Sequence, residues 1–188
     1  MNPPAVTLPI EPLTAQAFRP FGEVIEASTD AQQFAINQGF ATRFHDLVQV
    51  DVAEQGGRVL INVFRALPRT LPLRLSVMER HPLGSQAFVA MSELPFLVVV
   101  AAPAPVLELQ HIRCFLARKG QGVNYARGTW HHPLIALGRP SDFLVVDRGG
   151  PPQDRNLDEV DVSAANLWLP ALDGAVVWVD QALNQAKA

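Results

Sequence analysis

Residues 71–91 read Leu-Pro-Leu-Arg-Leu-Ser-Val-Met-Glu-Arg-His-Pro-Leu-Gly-Ser-Gln-Ala-Phe-Val-Ala-Met. Side chains on a strand alternate between faces, so Leu71, Leu73, Leu75, Val77, Glu79 and His81 are expected on one side. That side is apolar for four positions and then turns ionisable. An apolar face turns to a core, where even a neutral polar group without a partner costs on the order of 2–7 kcal/mol. Glu79 and His81 therefore need a partner. One reading supplies a metal ion or polar ligand, because residues two apart on a face have Cα atoms roughly 6.6 Å apart and can converge on one atom. After the Gly84 turn, Gln86 comes back beside the pair. The other reading puts Glu79 and His81 at the solvent end of the strand, paired with Arg80 or another arginine.

The surrounding composition bounds the answer. The chain has 188 residues, enough for one domain with a substantial core. Sixteen prolines and twelve glycines in a chain that is 48% hydrophobic predict many short strands joined by turns. The single cysteine, Cys114, excludes an intrachain disulfide, and its place in Ile-Arg-Cys-Phe-Leu predicts a buried apolar role on the side of Ile112 and Leu116. With no basic-then-apolar leader and no long apolar run, a soluble cytoplasmic protein is the expectation. A net charge of −3 without a Lys/Arg cluster argues against nucleic acid and anionic membrane as partners.

Outward from the opening stretch, Thr14 is positioned to cap a short helix that Pro20 and Gly22 terminate. His45 beside Asp46 is either a surface charge pair or a pair lent to a site by a neighbouring strand. In residues 58–65, Val59, Ile61, Val63 and Arg65 share a face and repeat the pattern of an apolar face ending in a charge. Arg65 is thus a candidate carboxylate clamp, the alternative being an arginine reaching water at a strand exit. Residues 95–102 are apolar on both faces, as in a buried central strand. Residues 118–122 form a glycine turn rather than a phosphate loop. The second polar stretch is Val123-Asn-Tyr-Ala-Arg-Gly-Thr-Trp-His-His-Pro-Leu134. Its two consecutive histidines are expected to point opposite ways, with at most one inside. Residues 143–148 form a further strand with Asp147 on the face of Phe143 and Val145. The expected organisation is a barrel with an N-terminal arm over residues 1–150. Residues 151–188 then form a C-terminal extension with some helix, packed on the same domain or a partner subunit.

Short strands with turns between them point to an all-β sandwich or barrel. Within that class, Glu79-x-His81 followed by Gln86, and Gly128-x-x-His131, resemble the two motifs of the cupin barrel, a double-stranded β-helix of jelly-roll type. The analogy implies that Glu79, His81, Gln86 and His131 form a metal set at the barrel mouth. Glu79 stands where a histidine is usual, Gln86 where a glutamate is usual and Ala126 where a proline is usual. A neutral amide binds a divalent ion less strongly than a carboxylate does. Longer segments narrow the resemblance: Arg43-Phe-His-Asp-Leu47, Glu79-Arg-His-Pro-Leu-Gly-Ser-Gln-Ala-Phe88, Gly120-Gln-Gly-Val-Asn-Tyr125, Trp130-His-His-Pro-Leu134 and Asp142-Phe-Leu-Val-Val-Asp-Arg-Gly-Gly150 are similar to the ureidoglycolate lyase family of allantoin catabolism.

That resemblance implies a homodimeric cupin enzyme that splits ureidoglycolate into glyoxylate and urea, with nickel as a cofactor in some members. The small-molecule substrate is a carbinolamide bearing a carboxylate, so a base must take its hydroxyl proton and an acid must protonate the departing urea nitrogen. A metal on Glu79, His81, Gln86 and His131 would act as a Lewis acid. Arg65, Arg148 and Asn124 are the substrate-binding candidates, and His132, His45 and Tyr125 the candidates for proton transfer. Without a metal, Glu79 becomes the base and His81 the acid. Two other readings compete: an amidohydrolase releasing ammonia from the same compound, and a non-catalytic cupin that binds a small carboxylate.

Overall fold

The computed structural model describes residues 3–172. Apart from one four-residue α-helix, Ala15–Phe18, and a few 3₁₀ turns, its regular structure is β. The Thr14 hydroxyl accepts from the Ala17 backbone N–H at 3.1 Å and so caps that helix as its sequence predicts.

Two large sheets face each other. The first runs in the order Asp158–Asp161, Val77–Arg80, Trp130–His131, Phe96–Ala101, Arg113–Ala117, Ile10–Pro12, with Ile135–Ala136 also paired to Phe96–Ala101. The second runs Gly22–Glu26, Gln121–Tyr125, Gln86–Ala90, Ser141–Gly149, Arg58–Ala66. Phe96, Val98, Val100 and Phe115 of the first sheet pack against Phe88, Val123, Tyr125, Phe143 and Val145 of the second, and this apolar layer is the barrel interior. The opposite face of Phe96–Ala101 supplies Leu97, Val99 and Ala101 to a second core. There Cys114, Leu75 and Met78 meet Leu167 and Leu169 from a small sheet of Val6–Thr7, Leu167–Leu169 and Leu73–Arg74. Phe96–Ala101 is therefore buried on both faces, and Cys114 sits with Ile112 and Leu116 as expected. This is the all-β cupin-type barrel.

The chain beyond Gly150 supplies strands to these same sheets through Asp158–Asp161 and Leu167–Leu169. The helical composition of residues 181–188 lies outside the described residues. No helix among the described residues is long and apolar enough to cross a membrane.

Two strand readings are corrected. Residues 71–81 are not one strand: Leu73–Arg74 belongs to the small sheet, Val77–Arg80 to the large one, and Ser76 between them belongs to neither. The break shifts the phase, so Leu75 and Met78 both enter the outer core while Glu79 turns to the barrel interior. In Arg58–Ala66 the expected faces are reversed. Phe64 opposes Phe143 and Asn62 opposes Val145, so these two face the barrel. Val59, Ile61 and Val63 point outward and are 50%, 72% and 58% exposed.

Candidate active site

The register brings the polar stretches together. His131 is paired with Val100 on one side and with Glu79 on the other, so all three point into the barrel, and His81 follows two residues on from Glu79. On the facing sheet Gln86 is paired with Tyr125, both inward. The result is a cavity of about 440 Å³ lined by Glu79, Gln86, Tyr125, His131 and His132 at its polar end and by Phe64, Phe88, Pro133 and Leu134 elsewhere. The ligand atoms of Glu79, His81 and His131 lie within 4.8 Å of one another, with His131 Nε2 at 3.4 Å from Glu79 Oε1.

Each imidazole is held the same way. His81 Nδ1 donates to the Asn156 carbonyl at 2.7 Å, His131 Nδ1 to the Thr129 carbonyl at 3.0 Å, and His132 Nδ1 to the Pro133 carbonyl at 2.7 Å. A carbonyl can only accept, so the proton of each neutral ring sits on Nδ1 and the Nε2 lone pair is left bare. All three Nε2 atoms are buried without a hydrogen-bond partner, as is Gln86 Oε1. A buried polar atom left unpaired costs about 1–3 kcal/mol. Bare acceptors beside a carboxylate call for a cation, Glu79, His81 and His131 are close enough to share one, and imidazole with carboxylate oxygen suits first-row divalent ions.

The electrostatics agree. Burial, joined by His131, pushes His81 below the usual imidazole value, against the Asn156 carbonyl, Glu79 and Gln86. Burial does the same to His132. Burial pushes the Glu79 carboxyl up, but His131, His81 and His132 together outweigh it and leave Glu79 below its ordinary value. Burial raises the Tyr125 phenol, which stacks on the His131 ring with centroids 4.5 Å apart, so it stays protonated at neutral pH.

Other residues of the predicted set lie apart from this cluster or hold partners of their own. Arg80 is on the opposite face, bound to Asp158 at 2.9 Å and stacked over Trp130, so it does not pair with Glu79. His131 and His132 both reach the cavity because the strand ends at His131 and its alternation ends with it. Arg65 stands at the cavity rim, but its fork already holds Asp142 at 2.7 and 2.9 Å. Arg148 points outward and is buried against the Glu54 carbonyl and Asp154, packed so closely by Gly57, Gly84 and Gly150 that a Cβ on any of them would collide with it. Asn124 also faces outward, donating to Glu23 and the Gln49 carbonyl. His45 is exposed on the hairpin of Gln32–Ile36 and Ala41–His45, against Phe34.

Two residues absent from the predicted set stand behind the site. Asp147 accepts from Asn62 at 3.1 Å. Burial raises the Asp147 carboxyl, against the pull of Gln86, His81 and Asn62. The alternation that places Asp147 with Phe143 and Val145 already signals its inward position. Asn62 is hidden by the more apolar Val59, Ile61 and Val63 on the other face.

A family model described as ureidoglycolate lyase matches residues 5–168. A protein of Burkholderia mallei named ureidoglycolate lyase is 58% identical over 163 residues, which cover 87% of this chain and 93% of that protein. Proteins of the same name from Burkholderia cepacia and Brucella ovis are 51% and 53% identical over 84% and 81% of this chain, and each is covered to 88%. Among solved structures, RmlC from Streptococcus suis in complex with dTDP-D-xylose aligns over 51% of this chain and 46% of that one, at 7% identity and TM-score 0.40. That likeness is too slight to add to the topology.

Proposed function

The chain belongs to the ureidoglycolate lyase family, and on that premise we propose that its barrel cavity splits ureidoglycolate into glyoxylate and urea in purine catabolism. The observation that carries this reading is the set of bare acceptors at one cavity, the Nε2 atoms of His131 and His132 and Gln86 Oε1 beside the Glu79 carboxylate, with His81 clustered behind Glu79 and His131.

The reaction needs no water and no redox step. The hydroxyl of the substrate loses its proton as its C–O bond becomes a carbonyl, the C–N bond breaks, and the departing nitrogen gains a proton to give urea. Glu79, His81, His131 and Gln86 would hold a divalent cation, which supplies Lewis-acid polarisation of the substrate oxygens when bound. Nickel is the ion the family resemblance implies, and the first to test. His132 is the proton carrier we propose, with an unpartnered Nε2 at the cavity and a ring fixed through Nδ1. The protonated Tyr125 phenol can donate but not abstract a proton at neutral pH. Phe64, Phe88 and Leu134 form the apolar wall of the cavity. A cytoplasmic homodimer remains part of this reading.

The test is turnover of fresh ureidoglycolate by chelator-treated protein, with and without nickel, manganese or zinc, assaying glyoxylate, urea and ammonia separately. Equal glyoxylate and urea, restored by one metal, is the expected result. Ammonia in place of urea would replace the lyase by an amidohydrolase, and metal-independent urea release would move the proton chemistry to Glu79 and His81.

A further inference from the structure

Two surfaces of this chain are apolar and uncovered among the described residues. The first is the outer face of the second sheet. Cross-strand pairing sets Val63 beside Leu144 and Leu144 beside Val89, and in the next row Ile61 beside Val146 and Val146 beside Ala87. With Ala87 itself buried, six side chains, counting Val59, thus form an apolar stripe ending on Arg58–Ala66. That strand is nine residues long and is the open edge of its sheet. A long, apolar, unpaired edge invites association. The second surface is the hairpin of Gln32–Ile36 and Ala41–His45, which pairs with no other strand among the described residues. Phe34 and Ile36 are 37% and 36% exposed, and Phe40 at the tip is 91% exposed. A lone two-stranded hairpin is marginal in water, and this one needs a surface to lie on.

We propose that these are two halves of one interface: two copies of the chain associate about a two-fold axis, each laying its hairpin on the outer sheet face of the other. This rests on the homodimer of the reading above and names its surface. A second copy is the fitting occupant because a single chain carries both halves, and reciprocal contact closes the assembly without leaving either exposed. The apolar side-chain surface involved is on the order of 700 Å² per copy, close to the roughly 800 Å² per partner of a standard stable interface. Phe40 has the character of an anchor, since exposed aromatics at the centre of such contacts dominate binding. The arrangement also braces the cavity, because Arg58–Ala66 turns Phe64 inward from the strand whose outer face the partner covers.

The test is sedimentation of the full chain and of Ile61→Glu and Phe40→Ser across the micromolar range, with circular dichroism to show that each is folded. Both sites are exposed in the single chain, so neither change removes a core contact. The expected result is a dimeric full chain and, for each variant, a dimer weakened on the order of a hundredfold, since each dimer carries the change twice. Mixing Ile61→Lys with Phe34→Asp should recover a heterodimer, in which one native contact and one complementary pair are restored. A monomeric full chain overturns both the homodimer and the surface. A dimer unchanged by either variant overturns the surface alone. Dissociation by Ile61→Glu but not by Phe40→Ser overturns the hairpin's part in it. Should the full chain be monomeric, dye binding gained on deleting residues 173–188 would identify that segment as the cover instead.

Discussion

Replacing Asp147 by leucine tests whether the amide of Gln86 is aimed by the residue behind it. Asp147 accepts from the Asn62 amide at 3.1 Å, and Gln86 pulls its carboxyl down against burial, as an amide NH₂ turned toward a carboxylate does. On the other side Gln86 presents Oε1 to the cavity, where it is buried and unpartnered. Leucine fills similar space but accepts nothing, so the amide is free to rotate and place NH₂ where an oxygen ligand belongs. Loss of a partner of this kind costs about 10–100-fold in metal affinity or activity, or about 1.4–2.8 kcal/mol. Asn62 also loses its partner, at about 1 kcal/mol, which lowers Tm by about 2–4 °C in a chain of this size. Calorimetric titration of chelator-stripped protein with nickel or manganese reads the affinity, and kcat/KM reads the reaction. Asp147→Asn keeps an acceptor for Gln86 and should lose much less than the leucine variant. Wild-type metal affinity and activity in Asp147→Leu would refute the reasoning, and activity lost at unchanged affinity would show that Asp147 does not act through Gln86.

His132→Ala should lower kcat by about 10²–10⁴-fold with bound metal, measured by elemental analysis, at the wild-type level. The Glu11 carboxyl is held below its ordinary value of 4.5 by its hydrogen bonds to Arg113, at 2.9 and 2.5 Å, which tie Ile10–Pro12 to Arg113–Ala117. Because the folded-state value is the lower one, the pair stabilises the protein above pH 4.5 and that contribution fades as pH falls through the folded value. Both side chains are 35% exposed, so solvent screening limits the effect to about 1 kcal/mol or less. Glu11→Gln should therefore melt about 2–4 °C lower at pH 7, and the two melting curves should converge in acid.

The core of the site is legible in the sequence because it depends on alternation over short distances. Glu79 lies on a strand and His81 just past its end, two residues on, Gln86 follows one turn later, and His131 belongs to the other dense polar stretch. What alternation misses is where a strand ends. The break at Ser76 and the end of the strand at His131 both changed which side chains face the barrel, and both depend on pairing between distant segments. Alternation also says nothing of the partners that the arginines find within the chain. Arg65 and Arg148 have the right chemistry for a carboxylate, but Asp142 and Asp154 already supply one. In Arg58–Ala66 the rule that the more apolar face turns inward gave the wrong face. When the outer face of a strand is as apolar as the inner one, hydrophobicity alone does not say which is which.

The imidazoles of the cavity are oriented by main-chain carbonyls of residues 129, 133 and 156, and no side-chain substitution can delete a carbonyl. Tautomer and ring direction are therefore properties of the backbone, inherited intact by any variant that keeps the fold. The residues at positions 79 and 86 are free of that duty, so ligand charge and hardness can be exchanged there one at a time while the histidine frame stays put. For a designer, this barrel is a fixed nitrogen template with two interchangeable oxygen sites, suited to asking how one scaffold selects among metals.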